Sequence, residues 1–346
     1  MPSRPVVAVD ATLLAGRTGA ARWLKNLLPV LPKVDPTLDY VALRPLLRSG
    51  LAWELHGLQR AAANARAAAV FTTRELIGPA RIPTVVHVFE PPSYRLGVAR
   101  GPGLAAAKSR LKDRLLAAAL GGSLRRAAGV TAGSETTAEW LRVHCGIEAT
   151  VVLPGVDPRF RPRVGDAPAE PYFLLVAGAD RRENAELVLE AFARARPDGV
   201  RLKTVGSTDE RRAELLATAE QLGIEEALDM HGWVSDDELL ALYRDALALI
   251  HPSRYEAYAG YPALEAMATG TAVVALAAPG STEALAGAAV LVEEDAAELA
   301  AALTALATDE ALRTRIAAAG HGRVSSLTWE SAAETLAAVL HRVVSR

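Results

Sequence analysis

Two glutamates, Glu256 and Glu265, stand in the stretch running from His251-Pro252-Ser253-Arg254-Tyr255 to Gly270-Thr271-Ala272. An apolar run over 246–250 precedes them and reads as a buried parallel strand. Glu256 then falls in a polar loop. A helix begins near Pro262, where a proline loses nothing because a first-turn N–H has no helical partner. Glu265 sits about one turn into that helix, Gly270 stops it, and a second apolar strand follows over 272–276. Strand, loop and helix in that order put the loop at the carboxyl edge of a parallel sheet, where open α/β folds bind ligands. The helix N-terminus, with Gly260 and Tyr261 leading into it, suits an anion such as a diphosphate. A carboxylate beside that anion would be repelled, so the two glutamates suit sugar hydroxyls better than phosphate. They also fit a plainer role, as a solvated loop residue and a first-turn helix carboxylate.

A second loop with chemistry in it comes earlier. Gly178-Ala179-Asp180-Arg181-Arg182-Glu183-Asn184 follows a strand over 172–177 and leads into a helix over 185–194. Near the start, a strand over 6–10 runs into Gly16-Arg17-Thr18-Gly19-Ala20-Ala21-Arg22 and then a helical pattern over 23–31. A glycine loop between strand and helix could cradle phosphate, and it equally serves as a tight turn. It is neither the G-x-G-x-x-G fingerprint nor the G-x-x-x-x-G-K-[ST] loop.

The elements that must position these residues alternate along the chain. Short apolar runs at 40–43, 67–71, 84–89, 129–132, 201–206 and 272–276 are separated by helical stretches, the rhythm of a doubly wound α/β sheet. The 346 residues suit two domains, each with its own core. Proline and polar residues up to Pro171 read as a linker, which places the boundary near 165. The single Cys145 excludes an internal disulfide and a metal site of paired cysteines. The N-terminus shows no signal-peptide core, and nothing resembles a membrane span, so a cytoplasmic location is expected.

Net charge is −2, unevenly divided. Residues 1–160 hold 21 Lys and Arg against 11 Asp and Glu, which leaves 17 against 29 for the remainder. Two surfaces with different partners are implied. Cations between Arg95 and Arg126 fall around a helical pattern over 108–120 with Leu111, Leu115 and Leu116. Such a helix suits either solvent or peripheral contact, through Lys108–Arg126, with the inner face of an anionic membrane. The near absence of aromatics there speaks against nucleic acid.

The 251–274 stretch resembles the signature of glycosyltransferase family 4, nucleotide-sugar-dependent enzymes with two Rossmann-like domains facing a cleft, the GT-B fold. The family text is Pro-Ser-x-x-Glu-Gly-Phe-Gly-x-Pro-x-Leu-Glu-Ala-Met-Ala-x-Gly-x-Pro-Val-Val. Seven residues separate its glutamates, whereas eight separate Glu256 from Glu265, so a bulge is expected within 257–261. Val151-Val152-Leu153-Pro154-Gly155-Val156-Asp157 resembles the family's passage into the second domain. Asp229-Met230-His231-Gly232-Trp233-Val234 resembles its Gly-Tyr-Val loop, and Pro279-Gly280-Ser281-Thr282-Glu283 its Gly-x-x-Glu loop. In the arginine loop the family has Pro-Arg-Lys-Asn. Arg182 and Asn184 match, but Glu183 replaces the lysine. After the 84–89 strand the family's His-Asp is replaced by Phe89-Glu90.

What the resemblance implies is retaining transfer of a sugar, of mannose or glucose type, from a nucleotide-diphosphate donor to a hydroxyl acceptor, in polysaccharide or glycolipid assembly. The first domain (1–165) would serve the acceptor and the second (166–346) the donor, with the last helix crossing back. Glu256 and Arg182 would be catalytic. Glu265 would take ribose hydroxyls; Arg181, Asn184, Gly260, Tyr261 and Gly19 would complete the donor site. Arg22, Glu90 and Tyr94 would face the acceptor. No cofactor or metal is expected, since no Asp-x-Asp occurs. A binding protein without turnover, or a GT-B enzyme of another reaction such as an epimerase or phosphorylase, also fits. Glu183, Phe89 and the extra residue before Glu265 favour the binding protein. His87, inside its strand, reads as a core histidine.

Overall fold

The computed structural model describes residues 4–16, 18–45, 52–91, 104–163, 170–178 and 180–346; the side chains of 104–110, 112, 113 and 116 lie outside that set. Contacts divide the chain into one compact unit of Met1–Gly155 with Leu327–Arg346 and another of Val156–Ser326. The boundary therefore falls before 165. Residues 156–163 belong to the second unit, where Phe160 packs edge-on to Tyr243 and Arg163 pairs with Asp245.

In the first unit six parallel strands are β1 (Val6–Asp10), β2 (Asp39–Leu43), β3 (Ala69–Thr72), β4 (Thr84–Val88), β5 (Gly129–Ala132) and β6 (Thr150–Val151), in the order β2-β1-β3-β4-β5-β6. Val85, Val86 and Val88 of β4 are fully buried, as the unbroken apolar run requires of a strand covered on both faces. The helix Gly19–Leu27 starts four residues before the periodicity suggests, because Thr18 caps it by accepting from the Ala21 N–H at 3.2 Å. It ends at Leu27, and a short helix, Leu31–Val34, follows instead of a continuous one. The helix Trp329–Val344 lays Leu336, Val339, Leu340 and Val343 onto this unit's sheet.

In the second unit the strands are β7 (Tyr172–Val176), β8 (Arg201–Val205), β9 (Leu228–Met230), β10 (Ala248–His251), β11 (Ala272–Leu276) and β12 (Val290–Val292), again all parallel, in the order β12-β11-β10-β7-β8-β9. Phe173 and Leu175 of β7 pack with Val188, Leu189 and Phe192 of helix Ala185–Ala195 and with Leu299 and Leu303 of helix Ala296–Thr308. From β7 the chain winds one way through β8 and β9, and from β10 the other way through β11 and β12. The carboxyl ends of β7 and β10 therefore flank the topological switch point, the place in such a sheet where a crevice opens for a ligand. Register sets Leu249 opposite Leu174, so the loops after both strands leave the sheet side by side.

Candidate active site

The loops leaving β7 and β10 carry Arg182 and Glu256, and the fold brings the two together across 74 positions of sequence. Arg182 Nη1 donates to Glu256 Oε1 at 2.8 Å and also reaches the Ser253 hydroxyl and the Tyr255 carbonyl. Its Nε donates to Asp180 Oδ2 at 2.8 Å, while Asp180 Oδ1 accepts from the Arg182 N–H and caps the turn Arg181–Glu183. His251, the last residue of β10, lies with Nε2 3.6 Å from Glu256 Oε1. The Glu256 side chain is only 12% exposed, so one carboxylate edge is held by the guanidinium in a half-enclosed corner.

Gly260 closes that corner. Its φ of +72° suits glycine, and a Cβ there would stand 2.8 Å from His251 Cε1 and 3.0 Å from Glu256 Cδ. The loop over 257–260, where the bulge is expected, ends in a backbone conformation other side chains rarely adopt. Helix Tyr261–Ala268 follows at once.

Charge at this corner is mostly negative. Asp180, Glu183 and Glu256 surround one guanidinium. Burial works to lower the Arg182 pKa, but Glu256, Asp180 and Glu183 together hold it above its ordinary value. Burial pushes the Glu183 carboxyl up; the Gly178 N–H and Arg182 oppose this, and Asp180 and Glu256 add to it. Burial keeps His251 below the ordinary imidazole range, against the pull of Glu256 and with the help of Arg182. Among the described residues no group of three or more His, Cys, Asp or Glu is placed to hold a metal ion.

The other expected residues are distributed more widely. Glu183 turns its carboxylate back onto the Gly178 N–H, with Oε2 at 2.5 Å. Arg181 points onto the helices, pairing with Glu186 and Glu214, and its side chain is 71% exposed. It does not join the Arg182 corner, although the resemblance places it in the donor site. Asn184 is buried, takes φ +54° at the start of helix Ala185–Ala195, and donates to Glu294. Glu265 is 1% exposed and accepts from the Tyr243 hydroxyl at 3.1 Å.

In the first unit Gly19 is the first residue of its helix, and the Arg22 N–H donates to the Thr18 carbonyl. Glu90 is half-buried after β4, and Tyr94 lies outside the described residues, as do the side chains of Lys108, Arg110 and Lys112. Arg125 and Arg126 donate to the Cys145, Gly122 and Ile77 carbonyls, which ties them to the unit itself.

Sequence reasoning passed over several polar residues at these edges. His251, Ser253 and Asp180 are one. The Asp10 cluster at the end of β1 is another: Asp10 is buried and accepts from Thr72 at 3.0 Å, from Trp53 Nε1 at 3.2 Å and from Thr12 at 2.8 Å. β1 and β3 are neighbours where the first sheet reverses its winding, so Asp10 and Thr72 mark the corresponding switch point there. A buried aspartate ending the first strand was the available signal. His87 is a core residue, stacked on Trp23 at 4.3 Å with Nδ1 2.9 Å from Thr131 Oγ1.

Comparison with solved structures places this architecture. A sucrose-phosphate synthase from Thermosynechococcus elongatus superposes with TM-score 0.78 at 19% identity, covering 99% of this chain and 100% of that one. Anabaena HepE in complex with UDP and glucose gives TM-score 0.74 at 17% identity over 98% of this chain and all of that one. The chain has the GT-B fold of two Rossmann-like units. Residues 157–323, all within the second unit, match the family model of glycosyl transferases, group 1. Among named relatives, the D-inositol 3-phosphate glycosyltransferase of Segniliparus rotundus is 32% identical over 56% of this chain and 44% of its own length. The MMP alpha-(1->4)-mannosyltransferase of Mycolicibacterium hassiacum is 32% identical over 57% of this chain and 49% of its own. The chain thus spans about half the length of each.

Proposed function

We propose that this protein is a retaining glycosyltransferase of family 4 type that moves a hexose from a nucleotide-diphosphate sugar to a hydroxyl acceptor. The observation that carries the reading is the Arg182–Glu256 corner at the switch point of the second sheet, inside the stretch that matches the group 1 family model. In this reading the diphosphate lies over the loop after β7 and the start of helix Tyr261–Ala268. Glu256 takes sugar hydroxyls, and Arg182 stabilises the charge that develops on the departing diphosphate. Such preorganised stabilisation is commonly the largest part of catalysis. UDP and glucose sit on the neighbour named above, which supports a nucleotide-sugar donor.

Nucleoside-diphosphate release from UDP-glucose, GDP-mannose and ADP-glucose, with and without polyol and glycolipid acceptors, tests this. Acceptor-dependent release that falls at least about 100-fold in Arg182→Ala is expected. Thermal stabilisation by a donor without any release would favour the binding-protein reading, which the carboxylate-rich setting of Arg182 supports.

We also propose that helix Leu104–Leu124 contacts an anionic membrane. Leu111 and Leu115, one turn apart, are 59% and 64% exposed, Arg114 between them is exposed, and the first 160 residues are net basic. No helix among the described residues is long and apolar enough to cross a membrane. Co-sedimentation with phosphatidylglycerol vesicles, lost in Leu111→Asp/Leu115→Asp and absent with phosphatidylcholine alone, is the expected result.

A further inference from the structure

The backbone N–H that follows β7 in the second unit is taken by a carboxylate of the protein itself. β7 ends at Val176, and the Gly178 N–H that follows stands at the carboxyl edge of the sheet, beside the switch point. That N–H is given to the Glu183 carboxylate, Oε2 at 2.5 Å. The loop returns on itself to make this bond. Asp180 caps the turn, Asn184 takes a left-handed conformation directly after it, and the Arg254 N–H holds the Arg182 carbonyl at 3.0 Å. Glu183 is thereby fixed within one corner with Asp180, Arg182 and Glu256, with His251 beside Glu256. The cation of that corner is spent on Glu256 and Asp180.

We propose that Glu183 is an internal occupant of the donor-phosphate seat, so that a nucleotide-sugar enters only when this carboxylate takes up a proton or swings off the Gly178 N–H. The inference rests on the donor reading given above and adds a property to it. Glu183 acts as a gate on donor affinity, and low pH opens it. The chemistry is that of one anion displacing another. A carboxylate and a diphosphate compete for the same N–H, and their mutual repulsion in a half-buried corner cannot be screened as it would be in water. Three carboxylates face one guanidinium here, so adding a doubly charged diphosphate favours whichever state removes a negative charge. Proton uptake by Glu183 does so and also loosens its hold on the Gly178 N–H, because a neutral carboxyl is a weaker acceptor than a carboxylate and yields that N–H to the diphosphate. Burial already inclines Glu183 toward that form. With the carboxyl pKa raised further by the bound anion, the complex holds more protons than the free protein, and affinity rises as pH falls.

The test is calorimetry of UDP-glucose and GDP-mannose binding to the full chain and to Glu183→Gln, from about pH 8 to about pH 5.5, in buffers of differing ionisation enthalpy. The diphosphate diester of these probes does not titrate in that window, so proton uptake belongs to the protein. Glutamine keeps the shape of the side chain but removes the charge, so its neutral amide oxygen holds the Gly178 N–H less firmly than the carboxylate does. Wild-type affinity that rises as pH falls, with net proton uptake, is expected. Glu183→Gln should bind about tenfold more tightly at neutral pH, with a flatter profile and less uptake. Equal affinities and equal pH profiles in the two proteins, or weaker binding by the variant, would overturn the gate while leaving the donor site standing. Binding by neither protein at any pH would overturn the donor reading and the gate with it.

Discussion

Glu265 is held in the interior by the Tyr243 hydroxyl, and both residues are almost completely buried. Removing the carboxylate with Glu265→Ala takes away a charge-assisted partner of a buried hydroxyl, a loss of about 1–3 kcal/mol. Glu265→Gln keeps an acceptor and should cost less. The pair also separates two roles. If Glu265 serves only the core, Glu265→Gln leaves donor affinity alone. If it takes ribose hydroxyls as well, affinity falls in the glutamine variant while the melting temperature hardly moves. His87 carries a pH prediction of opposite location, in the first unit. Burial pushes its imidazole down to about 3. The unfolded chain, with an ordinary imidazole near 6.5, therefore binds the proton more readily between those values. The stabilising contribution is complete above about pH 6.5 and is lost progressively as pH falls toward about 3. Replacing His87 by Phe, which keeps a ring against Trp23, should flatten the acid limb of the melting curve relative to wild type.

At the scale of elements, the loop carrying Glu256 is braced from a segment that comes later in the chain. A Cβ on Gly280, in helix Pro279–Leu285, would lie 2.1 Å from the Glu256 carbonyl and 2.7 Å from that of Tyr258. Gly280→Ala must push the loop outward and break the Arg182–Glu256 contact, because the obstacle is backbone and cannot rotate away. Loss of donor affinity with a modest fall in melting temperature is expected, read by calorimetry beside a thermal melt. Much of the fold was legible because parallel strands buried on both faces are unbroken apolar runs, as at 84–88 and 272–276. Leu228–Met230 and Val290–Val292 escaped notice because three residues carry no period, and Asp229, paired with Arg201 at 2.6 Å, disguises the first as loop. The meeting of Arg182 with Glu256 was signalled only by resemblance, since strand order at a switch point is not written locally. The turning of Arg181 toward Glu186 and Glu214 had no signal, because which of two adjacent arginines faces a site depends on the turn that Asp180 caps.

For the whole molecule, chain order and folding unit do not coincide. The polypeptide leaves the first unit after Gly155, builds the second over Val156–Ser326, and returns for its last helix. That helix is more than a strap. Trp329 backs onto Gly155, where a Cβ would stand 2.5 Å from its N–H nitrogen, and Val339 and Val343 press on Gly129 of β5. Near its end His341 Nε2 lies 2.7 Å from Asp35 Oδ2 and 3.0 Å from Thr37 Oγ1, joining the helix to the turn before β2. Burying a Leu or Val is worth about 1.5–3 kcal/mol, so Leu336, Val339, Leu340 and Val343 together contribute on the order of 10 kcal/mol, comparable to the net stability of a domain. A chain ending at Ser326 should therefore lose the first unit and keep the second. Hydrogen exchange would show β3, β4 and β5 unprotected while β7, β10 and β11 retain their protection. An isolated 156–326 fragment should melt cooperatively and still be stabilised by any donor that stabilises the full chain. Retained protection of β4 in the truncated chain would mean that the first unit closes its core without the helix. Loss of protection in both units would mean that their stabilities are coupled beyond what the division of contacts implies.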